Sequence, residues 1–468
     1  MGRGGRDRGA GRTTDVLVTM TSAVRSPRPR AVLVAVQLPG VEDRAHASSL
    51  AELGRLVETL GFDVAGSISQ RRKHLETGTV VGEGKLTELA DWTGGTGIVE
   101  RVRGKKRKDE EEEGGPDLPP PAADRRAEIV VVDHELSPMQ MRNLAQATSA
   151  QVLDRSGVIV EIFHRHAASR EAKLQVEMAR LKYMAPRARA TGQEGGFDRQ
   201  GGGIGGKGAG ESQLELDRRK IRDRISEIKE ELEEVELERS VRRARRADAN
   251  RVALVGYTNA GKSSWMRALT GSDVLVADKL FATLDTTVRT MVPETKPRIL
   301  LSDTVGFIDK LPHDLVASFR STLDEAHEAS LLVFVADASD PEFRNQLAVT
   351  RQVIGEIGAG DTRSIVWLNK VDRLDADARA VLREEFPDAL QVSAKDTDCV
   401  RSIHQLLYDG FAGALPEVEL LIPYDRAGLV GEIREKTTVL AEVYEDDGIR
   451  YKVRGPAAVI DRLRASLD

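Results

Sequence analysis

Apolar and polar positions change period several times along the chain, and each change marks an element. Ala31-Val32-Leu33-Val34-Ala35-Val36 is apolar at every position, as in a strand buried on both faces. Leu50, Leu53, Val57 and Leu60 then recur at helical spacing over residues 46–60, and Phe62-Asp63-Val64-Ala65-Gly66 predicts a second strand. Residues 84–89 predict the opening of another helix. Ile129-Val130-Val131-Val132 and Ala150-Gln151-Val152-Leu153 predict two more strands. Between them, Ser137-Pro138-Met139-Gln140 combines a capping box with a proline at the first helical position. Strands alternating with helices predict a parallel α/β domain over residues 30–163.

The period then becomes purely helical. Leu174, Met178, Leu181 and Ala185 form one stripe. Leu214, Ile221, Ile225, Ile228, Leu232 and Val235 form a second, interrupted once by Arg218 and introduced by the capping box Ser212-Gln213-Leu214-Glu215. Two such stripes predict an antiparallel coiled-coil hairpin over 164–248. Between them lies a glycine-rich stretch, 199–210, which is open to two readings. One is a flexible linker. The other is a backbone that must approach something bulky, where side chains would clash. Arg187, Arg189, Arg199 and Lys207 surround it, and Arg218, Arg219, Lys220, Arg222 and Arg224 follow on the second helix. Flexible glycines among cations suit a phosphate backbone, and with Phe197 the only nearby aromatic they do not suit base stacking.

Alternation of strands and helices resumes at Arg251-Val252-Ala253-Leu254-Val255 and continues through a predicted Ras-like domain over 249–414. Beyond it, Val418–Pro423 reads as a strand, and two runs across Asp446-Asp447-Gly448 read as a hairpin. They predict a small α+β domain over 415–468.

Composition adjusts this picture at two places. Residues 1–29 are rich in Arg and Gly and read as a disordered basic arm, and the run 94–126 places Lys105-Lys106-Arg107-Lys108 before Asp109 and four glutamates. Neither can build a core, and 94–126 reads as an exposed insertion. The net charge of −6 does not by itself predict nucleic-acid binding. A single cysteine, Cys399, fits a reducing compartment. With no apolar run of membrane length and no signal-peptide core, a cytoplasmic protein is expected.

The chemistry concentrates in 249–414. Gly256-Tyr257-Thr258-Asn259-Ala260-Gly261-Lys262-Ser263, followed by Ser264, lies between a strand and a helix, the context of a phosphate-binding loop. Its amides and the helix start favour an anion. Lys262 is expected to reach the β- and γ-phosphates, and Ser263 to ligate Mg2+. Asp303-Thr304-Val305-Gly306 ends a later strand. There Asp303 is expected at the metal, and the Gly306 N–H at the γ-phosphate. Asn369-Lys370-Val371-Asp372 places a carboxylate where guanine offers two donors and adenine none, and Ser393-Ala394-Lys395 can offer an amide to guanine O6. In order, these boxes select GTP. Within Phe281-Ala282-Thr283, Thr283 is the candidate third metal ligand, with Thr286, Thr287 and Thr290 as competitors. Phe307 stands where Ras-like enzymes carry a water-orienting glutamine. Slow intrinsic hydrolysis is therefore expected, with activation from a cation or a partner. Asn259 could hold a potassium ion against the phosphates, or only shape the turn.

These residues resemble the HflX family of translational GTPases. The most specific pieces are Arg199-Gln200-Gly201-Gly202-Gly203-Ile204-Gly205, Gly210-Glu211-Ser212-Gln213-Leu214-Glu215, Gly256-Tyr257-Thr258-Asn259 and Asp303-Thr304-Val305-Gly306-Phe307. The resemblance implies an N-terminal domain joined through a coiled-coil hairpin to the GTPase domain. It also implies binding to the large ribosomal subunit and its RNA, with the glycine loop directed at the peptidyl-transferase centre and stalled ribosomes split. A monomer is the expected state. The chain departs from the family pattern at Ser264-Trp265-Met266, where Thr-Leu-Phe is usual, and at Thr286, where proline is usual. A ribosome-assembly GTPase and an RNA-binding scaffold with a structural nucleotide switch are the alternative readings.

Overall fold

The computed structural model describes residues 28–99, 126–191, 213–244, 250–272, 280–281, 287–309, 325–413 and 415–467. Most of the basic arm, most of the insertion and the whole of 199–210 lie outside these residues. So do Ser212, Ala282, Thr283 and Thr286.

The first unit is a four-stranded sheet, every pairing parallel, in the order β2-β1-β3-β4. Its strands are β1 (Arg30–Gln37), β2 (Asp63–Arg71), β3 (Ile129–Val132) and β4 (Gln151–Asp154). Helices α2 (Glu83–Thr93) and α3 (Pro138–Thr148) contribute Leu86, Leu89, Trp92 and Leu144 to the core on one face. The Ser137 box closes as expected, its hydroxyl accepting from the Gln140 amide at 3.2 Å. Helix α1 (Asp43–Thr59) packs with α4 (Arg155–His166) on the other face. Helix α4 does not stand out in the sequence. Val158, Ile159, Val160, Ile162 and Phe163 leave it almost no polar face, because it is covered from both sides.

Helices α5 (Arg170–Thr191) and α6 (Gln213–Ala244) pack through Leu174, Met178 and Ile228, flanked by Leu181, Ile225 and Leu232. Ion pairs fix the register as antiparallel: Arg224 to Glu177 at 2.8 Å and Arg170 to Glu231 at 3.5 Å. Two cations expected near the glycine loop are thereby taken up. Arg224 braces the two helices through Glu177, Glu227 and Glu231. Arg187 stacks over Tyr183 and pairs at 2.7 Å with Asp154, which is fully buried at the end of β4. A buried carboxylate needs such compensation, and here the C-terminal part of α5 supplies it.

The second sheet has the order β10-β9-β8-β5-β7-β6. Strands β5 (Asn250–Gly256), β7 (Ile299–Asp303), β8 (Leu331–Asp337), β9 (Ser364–Asn369) and β10 (Leu390–Gln391) run parallel. Only β6 (Thr287–Thr290) is antiparallel, and it carries Thr287 and Thr290 as strand residues. Helix α7 (Lys262–Thr270) follows the glycine turn after β5. A third, antiparallel sheet of β11 (Glu417–Ile422), β12 (Thr438–Glu445) and β13 (Gly448–Arg454) carries the helices Gly428–Lys436 and Ala457–Ala465. No described helix is long and apolar enough to cross a membrane.

The first two sheets share one apolar core. Leu53, Leu56, Ile159 and Phe163 of the N-terminal unit belong to the same cluster as Val255, Tyr257, Phe281, Val305 and Phe307 of the P-loop unit. Phe163 meets Phe281 edge-on, with ring centroids 4.6 Å apart, and Arg44 pairs with Glu342 at 2.9 Å at the rim.

Candidate functional site

Strands β9, β8, β5 and β7 lie in that order and run parallel, so the segments that follow β5, β7 and β9 meet at one edge of the sheet with most of the expected site residues. The turn after β5 places Asn259 at φ 59° and Gly261 at φ 101°. Gly261 has no room for a side chain, because a Cβ there would run into the Asn369 amide nitrogen. Helix α7 begins immediately afterwards at Lys262, so its N-terminal amides face the loop's concavity.

Lys262 is buried, and its ammonium donates to the carbonyls of Gly256 at 3.0 Å and Tyr257 at 2.8 Å. Burial pulls its pKa down from 10.5 to about 8, against the opposing pull of Asp303. The cation is therefore held at the phosphate loop at a cost that an incoming anion removes.

Ser263 donates to the Asp303 carboxylate at 2.7 Å. A hydroxyl beside a carboxylate, both oxygen donors, suits Mg2+, which keeps several waters and takes its remaining ligands from phosphate. The described residues thus fit the metal with two of the three expected ligands. Ser264 follows on α7, half-buried. Asp303 is fully buried, and Thr304 beside it donates to the Leu254 carbonyl at 2.8 Å. Val305 and Val371 point into apolar surroundings, so their backbone alone is available to a ligand. Gly306 lies against the phosphate loop, where an added Cβ would stand 2.8 Å from Thr258 Cγ2 and 3.1 Å from Lys262 Nζ. Two backbone bonds join the segments: Thr258 N–H to the Phe307 carbonyl at 2.8 Å and Phe307 N–H to the Gly256 carbonyl at 3.1 Å.

Asn369 is buried and bridges elements. Its amide donates to the Ala260 carbonyl at 2.8 Å, and its side-chain oxygen accepts from the Trp265 indole at 3.0 Å. Lys370, at φ 61°, reaches the Asn259 carbonyl at 2.8 Å and Asp337 at 2.7 Å. Asp372 accepts from the Ser393 hydroxyl at 2.7 Å, with Lys395 3.8 Å away. The Ser393 bond, with help from Lys395, lowers the Asp372 pKa and keeps it an acceptor. Ala394, between them, packs half-buried beside the core under α7.

Phe281 is placed differently from its neighbours in the sequence. Its ring is buried against Phe163, so its side chain serves the contact between the two sheets. Phe307 is likewise buried in that shared core. Its ring cannot orient a water.

Comparison with known proteins agrees with this geometry. Residues 251–370 match the family model described as a 50S ribosome-binding GTPase. Residues 166–246 match the GTP-binding GTPase middle region, and 47–100 with 120–164 match its N-terminal region. GTPase HflX of Gluconacetobacter diazotrophicus is 57% identical over 450 residues, 95% of this chain and 99% of that protein. The chain belongs to the HflX family. GTPase HflX of Escherichia coli is 35% identical over 432 residues, covering 91% of this chain and 93% of that one. Among solved structures, a GTP-binding protein from Sulfolobus solfataricus in complex with GDP is similar over 81% of this chain and 99% of its own, at 22% identity and TM-score 0.42.

As an HflX protein the chain is a GTP hydrolase. Three residues that shape the site of this HflX chain are not legible as site residues in the sequence. Trp265 holds Asn369 from α7. Glu52 and Arg155 belong to the N-terminal unit, yet Glu52 bonds Tyr257 of the phosphate loop at 2.6 Å. The available signal is a charged residue at a core position: Glu52 lies among Leu53, Leu56 and Val57, and Arg155 opens the apolar run of α4.

Proposed function

We propose that this HflX GTPase binds the large ribosomal subunit and uses GTP to dissociate stalled or idle ribosomes. The observation that supports this most directly is the match of residues 251–370 to a 50S ribosome-binding GTPase, on a chain that also carries two packed helices flanking a glycine-rich stretch. In this reading α5 and α6 form a coiled-coil hairpin over 164–248 that presents 199–210 to ribosomal RNA. The other units are an N-terminal domain over 30–163, a GTPase domain over 249–414 and a docking domain over 415–468. The protein acts in the cytoplasm as a monomer.

The chemistry assigned to the site is positioning and charge stabilisation. Amides of residues 257–263 and the Lys262 ammonium hold the phosphates, and the Gly306 N–H meets the γ-phosphate. Ser263, Asp303 and Thr283 hold Mg2+, which when bound neutralises charge developing between the β- and γ-phosphates. Asp372 takes the two guanine donors, supported by Ser393 and by the amides of 394–395. Asn259, exposed at the mouth of the loop, is the place for a potassium ion beside the phosphates. Because Phe307 is buried, the group that orients the attacking water comes from elsewhere, which makes the ribosome the natural activator.

The test is GTP turnover by the purified full chain in potassium buffer, alone and with large subunits, followed by sucrose-gradient separation of ribosomes. Stimulated turnover with 70S particles converted to subunits is expected. Absence of stimulation despite tight GTP binding, or association with precursor particles alone, overturns the reading.

A further inference from the structure

A chain of buried polar contacts crosses from the N-terminal unit to the nucleotide site. It starts at Asp133, at the end of β3, which accepts from Ser49 and from Arg155, each at 2.6 Å. Arg155 is 2% exposed, and its other terminal nitrogen donates to Glu52 on α1. Two carboxylates thus share one guanidinium. Glu52 has a second donor. The Tyr257 hydroxyl donates to Glu52 at 2.6 Å, and the same oxygen accepts from the Asp309 amide at 2.6 Å.

A phenol has one proton. Glu52, as a carboxylate, can only accept, so it fixes that proton toward itself and leaves a lone pair for the Asp309 N–H. Asp309 is three residues beyond Gly306, and Tyr257 also pairs with Phe307 as an isolated parallel bridge. One hydroxyl therefore ties the phosphate loop, the segment 306–309 and the N-terminal unit together. Displacement of a reacting group by about 1 Å can cost ~100-fold in rate, so a tie of this kind reaches the chemistry without touching it.

We propose that Glu52 is a positioning residue for GTP hydrolysis: by orienting the Tyr257 hydroxyl it holds residues 306–309 where the Gly306 N–H can meet the γ-phosphate. GDP lacks that phosphate, so loss of the tie should fall more on turnover than on GDP affinity. The proposal rests on the assignment of Gly306 to the γ-phosphate. Gly306→Ala, whose Cβ would crowd Thr258 and Lys262, tests that assignment when turnover is counted per GDP-binding site: parental turnover in it rejects the assignment.

The experiment uses the full chain with Tyr257→Phe, Glu52→Leu, Glu52→Gln and the double variant Glu52→Leu/Tyr257→Phe. Active sites are counted by GDP titration, so that any unfolded fraction does not enter kcat. Tyr257→Phe and Glu52→Leu are each expected to lower kcat about tenfold, the worth of roughly one hydrogen bond to a charged partner chain. The double variant should be no slower than Tyr257→Phe, since both remove the same tie. Glu52→Gln keeps an acceptor oxygen and should restore turnover to within about threefold of the parent, a few tenths of a hydrogen bond. GDP affinity should change less than kcat in all four, because the tie reaches GDP only through the phosphate loop. Parental kcat in Tyr257→Phe, additive losses in the double variant, or faster turnover in either single variant overturns the proposal. Faster turnover would make the tie a restraint on the switch segment instead of a support.

Discussion

The Trp265 indole donates to the Asn369 side-chain oxygen across 3.0 Å, at the point where α7 passes the end of β9. Both residues are buried, and Trp367 of β9 lies against Trp265 with ring centroids 4.9 Å apart. Trp265 therefore serves the site: it fixes which way the Asn369 amide faces, so that its N–H side bonds the phosphate loop at Ala260. Trp265→Phe removes this donor and part of a fully buried ring system, so the core bears part of its cost as well. GDP and GTP affinity should both fall about fivefold, close to 1 kcal/mol for one buried hydrogen bond. Isothermal titration checks this, and unchanged affinity for both nucleotides refutes it.

In the proposed reading Asp372 sets the base. With its pKa lowered by Ser393 it is ionised throughout the neutral range and can accept from both guanine donors. In Asp372→Asn, one acceptor becomes a donor, which suits the extra carbonyl of xanthine. GTP affinity should fall by at least about 100-fold while xanthosine triphosphate becomes the preferred substrate, in line with sites built around substrate hydrogen bonds. Competition binding between the two nucleotides reads the outcome.

Lys262 makes nucleotide binding pH-dependent. In the nucleotide-free protein its pKa lies near 8, and phosphates beside it raise that value. Binding near pH 8 should therefore take up protons. Affinity is full below about 8 and falls as pH rises through it, by at most about tenfold per unit. The nucleotide-free protein behaves oppositely. Its folded pKa lies below the ordinary 10.5, so the unfolded chain binds more protons between about 8 and 10.5, and this group adds stability as pH rises across that window. Calorimetry in buffers of different ionisation heat measures the proton count.

Arg187 anchors α5 to the N-terminal unit. Arg187→Ala would leave Asp154 buried with the Tyr183 hydroxyl at 2.8 Å and the amides of Gly157 and Leu136, but no cation. Losing one partner of a buried pair costs about 3–5 kcal/mol, locally as loosening of α5 from β4. Hydrogen exchange should rise over α5 and α3 and stay unchanged over β5 and α7. Uniform protection in the variant would show that the pair does not hold the helix.

Much of this was legible in the chain. The phosphate loop reads directly because a strand, a glycine turn and Gly-Lys-Ser have one common use, and Asn-Lys-x-Asp at a strand end specifies a base by donors and acceptors. The apolar runs of β1 and β3 and the box at Ser137 follow from period and capping alone. These are local rules, satisfied within a few residues.

What the sequence could not show is where charged side chains find partners. Arg187 and Arg224 look like cations available to RNA, and the structure spends both on carboxylates that lie 33 and 47 residues away. Phe281 looks like part of the nucleotide loop, and Phe163 claims its ring. Helix α4 has no polar face to reveal its period, because a second sheet covers it. The sequence by itself determined that the chain binds GTP, since that needs only motifs in order. Only the tertiary structure decided that Glu52 lies beneath the phosphate loop. The reason is physical: buried Glu52 has one oxygen on Arg155, and its other oxygen finds a donor in Tyr257, 205 residues away, which no local rule predicts.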